Sequence, residues 1–225
     1  MLLCERYRPR SWPEVIGQDA IRAKVDALRP RGLGARAYWL AGPSGCGKTT
    51  IARIIAGEIA SEWATDEVDA QDVTMEAVRD FERSLGQRAM PDEQGRTGRA
   101  WIINEAHGLR AAIVSRLLTL IERLPAHVLI VFTTTSAGEQ KLFDDMDDAG
   151  PLLSRCVRLP LAQRGLAEAF AERMVSVARA DGMLNGKGDD YYKSRCVRLL
   201  KEQRNNCRAA WQAIDSGYLT ASDEH

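Results

Sequence analysis

The sequence predicts an α/β domain with a mostly parallel sheet flanked by helices, followed by a small all-α domain. Three observations carry this. Short apolar runs alternate with segments of helical spacing up to Pro160. A glycine-rich turn joins one of those runs directly to a helix. Beyond Pro160 only helical spacing remains. The expected domains are therefore 1–160 (α/β) and 161–225 (helical).

The elements follow in chain order. Ile21, Val25 and Leu28 share a helical face that stops at Pro30, and a glycine-containing turn follows at 31–35. Residues 37–41 (AYWLA) read as a buried strand, and 49–59 as a helix with one apolar side. Val73, Ala77, Val78, Phe81 and Leu85 mark another helix, and the polar stretch 86–99 reads as a loop. Residues 101–103 form a strand, 113–121 a helix, and 128–132 a strand running into three threonines. Leu166, Phe170, Met174 and Val177 open the helical part, with shorter helices over 189–203 and 207–219. The hexapeptide SRCVRL occurs at 154–159 and again at 194–199, with no longer repeat around it. The acidic stretch 143–150 (FDDMDDAG) reads as a solvated loop.

Composition narrows the function classes. Of 225 residues, 45% are hydrophobic and 28% charged, the mix of a globular protein rather than a disordered one. Thirty-one lysines and arginines balance 31 acids, which argues against a general polycation but leaves room for local basic faces. Residues 1–36 hold eight basic and four acidic side chains. No apolar run approaches the ~18 residues of a membrane span, and the start, MLLCERYRPR, is charged by its fifth residue, so neither membrane nor secretion is expected. Five scattered cysteines without metal-ligand spacing suit a reducing cytoplasm.

Two motifs carry chemistry. Gly42, Pro43, Ser44, Gly45, Cys46, Gly47, Lys48, Thr49 and Thr50 spell GPSGCGKTT, matching G-x-x-x-x-G-K-[ST] between a strand and a helix. Its glycines let the backbone turn N–H groups onto phosphate oxygens, and the helix N-terminus adds positive potential. Lys48 is expected on the β- and γ-phosphates and Thr49 on Mg²⁺. The second motif, AWIINEAH at 100–107, is a strand ending in Asn104 and Glu105. Glu105 is the candidate general base. Asn104 stands at the metal-orienting position, where an amide oxygen is a weaker, uncharged partner than a carboxylate.

With these motifs the chain resembles AAA+ ATPases of the clamp-loader family, the bacterial gamma/tau and replication factor C small subunits. ERYRPRSWPEVIGQ at 5–18 is similar to that family's adenine-side box. The resemblance makes Tyr7, Arg8, Pro9, Val15 and Ile16 base-contact residues, with Trp12 where phenylalanine is usual. INEAH keeps the glutamate but has asparagine where the family has aspartate. LLTLIERLPAHVLIVFTTT at 117–135 matches the stretch whose final polar residue senses the γ-phosphate: Thr135 in a gapless match, Thr134 as its neighbour. PLLSRC at 151–156 implies Arg155 as the arginine finger reaching a neighbouring subunit's site. NNCRAAWQAID at 205–215 more loosely implies Arg208 as the lid arginine on the γ-phosphate, with Asn205-Asn206 in place of Gly-Asp.

The resemblance implies an ATP- and Mg²⁺-dependent, cytoplasmic clamp-loader subunit in DNA replication, with ATP between the α/β domain and the lid. Expected partners are primer–template DNA gripped by its backbone, a sliding clamp, and other clamp-loader subunits or copies of itself in a ring or arc. Arg79, Arg83, Arg110 and Arg116 are candidate phosphate contacts on DNA. Neither the family's collar domain nor its four-cysteine zinc module is found in the sequence. Two other readings stay open: a different AAA+ DNA remodeller, of Holliday-junction or replication-stress type, and a nucleotide-binding assembly subunit that hydrolyses little because of Asn104.

Overall fold

A computed structural model describes residues 2–162 and 165–220. The tail 221–225 of the expected helical domain lies outside the described residues. The elements are α1 (Leu3–Arg6), α2 (Asp19–Leu28), β1 (Arg36–Ala41), α3 (Lys48–Gly57), β2 (Thr65–Asp69), α4 (Met75–Ser84), β3 (Arg99–Asn104) and α5 (Ala111–Ile121). They continue with β4 (Val128–Thr134), α6 (Ser136–Asp145), α7 (Ala149–Ser154), β5 (Cys156–Pro160), α8 (Ala167–Ala180), α9 (Asp189–Glu202) and α10 (Cys207–Asp215). By backbone contacts the chain divides into two compact units. One comprises Met1–Asp19, Pro43–Gly47 and Ala162–His225, the other Ala20–Gly42 and Lys48–Leu161.

In the second unit the described strands form one sheet in the order β2-β3-β4-β1-β5. Every pairing is parallel. Burial on both faces explains the continuous apolar runs: all seven residues of β4 are buried, as are Tyr38, Trp39 and Leu40 in β1. Trp39 stacks at a tilt on Phe132 with ring centroids 5.4 Å apart, and Phe81 of α4 lies 4.6 Å from Trp101 of β3. Parallel strands bring their C-terminal ends to one edge, where such sheets place ligands. Ala41, Asn104 and Thr134 end β1, β3 and β4 there, and the Gly42 amide donates to the Thr134 carbonyl at 3.3 Å.

The structure departs from the sequence reading at several elements. β2 reads TDEVD, and only Val68 is apolar. It is an edge strand with one partner, and charge on an edge discourages pairing with other chains. β5, the other edge, was hidden inside the SRCVRL repeat. The acidic stretch 143–150 is not a loop throughout: α6 runs to Asp145 and α7 starts at Ala149, which is fully buried. Asp148 precedes α7, and its carboxylate accepts from the Ser115 hydroxyl. α4 begins two residues later than its apolar spacing suggests, because Thr74 accepts the Ala77 N–H at 3.1 Å as N-cap and Val73 packs outside the helix.

In the first unit, α8, α9 and α10 bury Met174, Tyr192, Cys196, Leu200, Ala210 and Ile214 together. Leu3 of α1 joins this core, and its amide donates to Asp215 at 2.9 Å. Arg204 and Asn205, at φ 53° and 59°, turn the chain from α9 into α10. The second SRC lies within α9, where Arg195 donates to the Tyr191 hydroxyl and the Tyr218 carbonyl at 2.9 and 2.6 Å.

Candidate functional site

The phosphate-loop sequence produces the backbone its glycines allow. Gly45 and Gly47 adopt φ +72° and +97°, where other residues are strained. A Cβ on Gly47 would meet nothing within 4 Å, so the loop leaves open space there. α3 begins at Lys48, directly after the loop, so its first-turn N–H groups have no partners within the helix. Lys48 is buried at 7% exposure, and its ammonium donates to the Gly42 carbonyl at 3.0 Å.

Beside it lies a polar cluster centred on Asn104. The Asn104 Oδ1 accepts the Thr49 hydroxyl at 3.3 Å and the Thr133 hydroxyl at 2.9 Å. Its Nδ2 donates to Glu67 Oε1 at 2.9 Å. A carboxylate can only accept, so the amide nitrogen must face Glu67 and the oxygen must face Thr49. Glu67 also pairs with Arg53 of α3 through two contacts of 2.7 and 3.0 Å.

Glu105 follows Asn104 in the left-handed conformation, φ 51° and ψ 47°, which turns its half-exposed carboxylate out of the strand line. Its Oε2 is 3.5 Å from His107 Nδ1, which in turn is 3.1 Å from the Thr134 hydroxyl. A Cβ on Gly138 would come within 2.3 Å of His107 Nδ1, so Gly138 makes room for this ring.

The threonine run divides its tasks. Thr133 donates to Asn104, and Thr134 donates to the Thr135 carbonyl at 3.3 Å. The Thr135 hydroxyl instead accepts the Gly138 N–H at 2.9 Å as the N-cap of α6. It therefore keeps a hydrogen to donate.

Arg155 closes α7 just before β5 and is partly exposed. Its guanidinium donates to Glu122 Oε1 at 2.7 Å and to the Pro151 carbonyl at 3.0 Å.

The residues expected on the base and the lid arginine belong to the first unit. Tyr7 packs on the helical core and donates to Asp181 at 2.6 Å, which raises its phenol pKa. Arg8 pairs with Glu5, and Pro9, Val15 and Ile16 lie in the same N-terminal segment. Glu14 caps that segment; the Ser11 hydroxyl and then the Arg10 N–H hold its carboxyl below the usual range. Gln18 anchors it by exchanging two hydrogen bonds with the Ala162 backbone, at 2.8 and 3.0 Å. Gly45 touches α10: a Cβ there would come within 1.9 Å of Asn206 Oδ1, the N-cap that accepts the Ala209 N–H. Arg208 is exposed in the first turn of α10.

Of the sequence-predicted residues, the fold of the second unit thus brings together Lys48, Thr49, Asn104, Glu105 and Thr134, and adds Glu67, Thr133, His107 and Gly138. Glu67 carried no signal, because its strand was invisible. His107 sat within the quoted motif but had no assigned role.

The donor set suits a phosphate-bearing ligand with a hard metal ion: one buried ammonium, helix amides, a hydroxyl and an amide oxygen. Among the described residues no three His, Cys, Asp or Glu side chains converge as a metal cage. A metal shared between Thr49 and phosphate oxygens needs none. The loop, sheet order and strand-end cluster define a P-loop nucleotide-binding domain.

The family model of AAA, the ATPase family associated with various cellular activities, matches residues 38–159, and the chain belongs to this family. Curated relatives are gamma and tau subunits of DNA polymerase III. The DNA polymerase III subunit gamma/tau of Mycobacterium tuberculosis is 31% identical over 156 residues, 60% of this chain and 27% of that protein. The gamma subunit of Buchnera aphidicola is 28% identical over 192 residues, 76% of this chain and 49% of that protein. The tau subunit of Bacillus subtilis is 23% identical over 195 residues, 78% of this chain and 33% of that protein. The chain thus spans between about a quarter and a half of these relatives' length. Among solved structures, the RuvB Holliday junction branch migration motor of Thermotoga maritima superposes with a TM-score of 0.68 at 22% identity, covering 93% of this chain and 64% of that one. That likeness establishes the AAA+ fold. Among the described residues no helix is long and apolar enough to cross a membrane.

Proposed function

We propose that the chain is an ATP- and Mg²⁺-dependent clamp-loader-type subunit acting in DNA replication. It would assemble with other subunits or with itself on primer–template DNA and load a sliding clamp. The observation that carries this reading is the similarity to polymerase III gamma and tau subunits over up to 78% of the chain.

The residues take these roles. The amides of the phosphate loop and the first turn of α3 hold the phosphates. Lys48 exchanges the Gly42 carbonyl for a phosphate oxygen. Thr49 and the Asn104 oxygen hold Mg²⁺ and its water shell, and the ion, when bound, neutralises charge on the phosphates. Glu105 takes a proton from the attacking water. Thr135 donates its remaining hydroxyl hydrogen to the γ-phosphate, and Arg208 acts from the lid. Tyr7, Arg8, Pro9, Val15 and Ile16 take the base. Arg155 leaves Glu122 to complete a neighbouring subunit's site, so that nucleotide state controls assembly.

The test is clamp transfer onto circular primed DNA by the chain with its cognate clamp and partner subunits. ATP-dependent, closed clamps on DNA are the expected result; none in any combination contradicts it. The RuvB-like fold keeps a Holliday-junction remodeller as the second reading, distinguished by branch-migration activity that no clamp stimulates.

A further inference from the structure

We propose that Glu67 of β2 supplies, through the Asn104 amide, the negative charge that a carboxylate at position 104 would otherwise supply to the metal–nucleotide site. The inference deepens the nucleotide-binding reading above and rests on it.

The geometry is specific. β2 and β3 run parallel with Asp69 opposite Asn104 and Glu67 opposite Ile102. Glu67 lies two residues from Asp69, so its side chain leaves the same sheet face as Asn104. It reaches the amide nitrogen at 2.9 Å. The opposite end of that amide accepts from Thr49, the hydroxyl expected on the metal. An amide that donates to a carboxylate is polarised and becomes a better acceptor at its oxygen. Glu67 is thus a positioning residue: it fixes the Asn104 rotamer, directs Oδ1 at Thr49 and enriches that oxygen in charge. Thr133 fixes the same oxygen from β4. Arg53 donates to the same Glu67 oxygen at 3.0 Å and balances part of its charge, but its side chain is 47% exposed, so solvent weakens that ion pair.

This arrangement makes asparagine the matched residue at 104 rather than a defect. An aspartate there would set two carboxylates at hydrogen-bond distance with no proton between them. Asn104→Asp alone therefore fails to improve the site, whereas Asn104→Asp with Glu67→Gln exchanges the two groups: the Gln amide donates and the Asp oxygen accepts.

The test uses the full chain and a fluorescent ADP, titrated over a range of Mg²⁺ and in EDTA, with thermal melting of the ligand-free chain in parallel. Glu67→Gln is expected to raise the Mg²⁺ concentration for half-saturation about tenfold, in the range for residues that orient metal ligands. It leaves ADP binding in EDTA within about twofold, since the phosphate loop is untouched. Asn104→Asp lowers the ligand-free melting temperature, and the double variant recovers both that temperature and the Mg²⁺ dependence. Arg53→Gln keeps the wild-type Mg²⁺ dependence. An unshifted Mg²⁺ dependence in Glu67→Gln overturns the inference. So does a double variant no better than Asn104→Asp, or an equal loss in Arg53→Gln, which would assign the effect to the ion pair. Wild-type chain that binds no nucleotide at all would instead overturn the reading of the site itself; the melting comparison needs no nucleotide and still reports whether Glu67 repels a carboxylate placed at position 104.

Discussion

Gly45 and Asn206 are in contact, and the contact admits nothing larger than glycine. A Cβ on Gly45 would lie 1.9 Å from the Asn206 Oδ1 that caps α10. Gly45 also holds φ +72°. Gly45→Ala therefore meets two penalties, left-handed strain and a displaced helix cap, of about 1–3 kcal/mol together. Denaturant unfolding should show that loss, and Asn206→Gly in the same chain should recover only the part due to collision. Full stability in Gly45→Ala would mean that loop and cap are not in contact.

Thr135 combines a cap and a donor, and the two are separable. Thr135→Ala should lose about 1 kcal/mol of stability with the cap of α6. Thr135→Asp keeps the cap, because a carboxylate accepts the Gly138 N–H, but it has no hydrogen to give and repels phosphate. It should remain stable and lose hydrolysis, and Thr135→Ser should keep both. Active Thr135→Asp would remove Thr135 from the γ-phosphate.

Arg155 is held by Glu122, a partly exposed pair with side chains 38% and 55% accessible. Such pairs contribute less than about 1 kcal/mol, so an interface can outcompete this one. Glu122→Gln should change the melting temperature little. Arg155→Ala should leave ATP affinity of the isolated chain intact and remove hydrolysis in the assembled state. Equal hydrolysis by assembled wild type and Arg155→Ala would end its role as a finger.

Burial pushes the Cys196 thiol up to about 11 from 9.0. A raised native pKa favours the neutral thiol, so this contribution to stability is complete below the unfolded value and fades as pH rises from about 9 towards 11. Denaturant midpoints across that window should fall, and less so in Cys196→Ala. Cys207 is pushed up to about 12 by burial, with Cys46 adding to the shift. Both should resist alkylation at neutral pH until the chain unfolds, which mass spectrometry with an alkylating agent would read.

Much of the site was legible because backbone chemistry constrains it tightly. The run at 42–50 needs glycines for its φ values and a lysine and threonine opening the helix, and nothing else in the chain satisfies that pattern. β1, β3 and β4 were legible because central parallel strands are buried on both faces. β2 was not, since an edge strand tolerates TDEVD, and with β2 went Glu67. The pairing of Glu67 with Asn104 joins residues 37 positions apart and leaves no local periodicity. Asn104 accordingly looked like a weakened site, when its amide nitrogen is matched to a neighbouring carboxylate.

The most direct measurement of the central claim is steady-state ATP hydrolysis by the purified chain, alone, with primer–template DNA, and with the cognate clamp and partner subunits. Hydrolysis stimulated by DNA and further by the clamp is predicted. ATP binding without turnover in every combination would contradict the clamp-loader account and leave a nucleotide-dependent assembly subunit in its place.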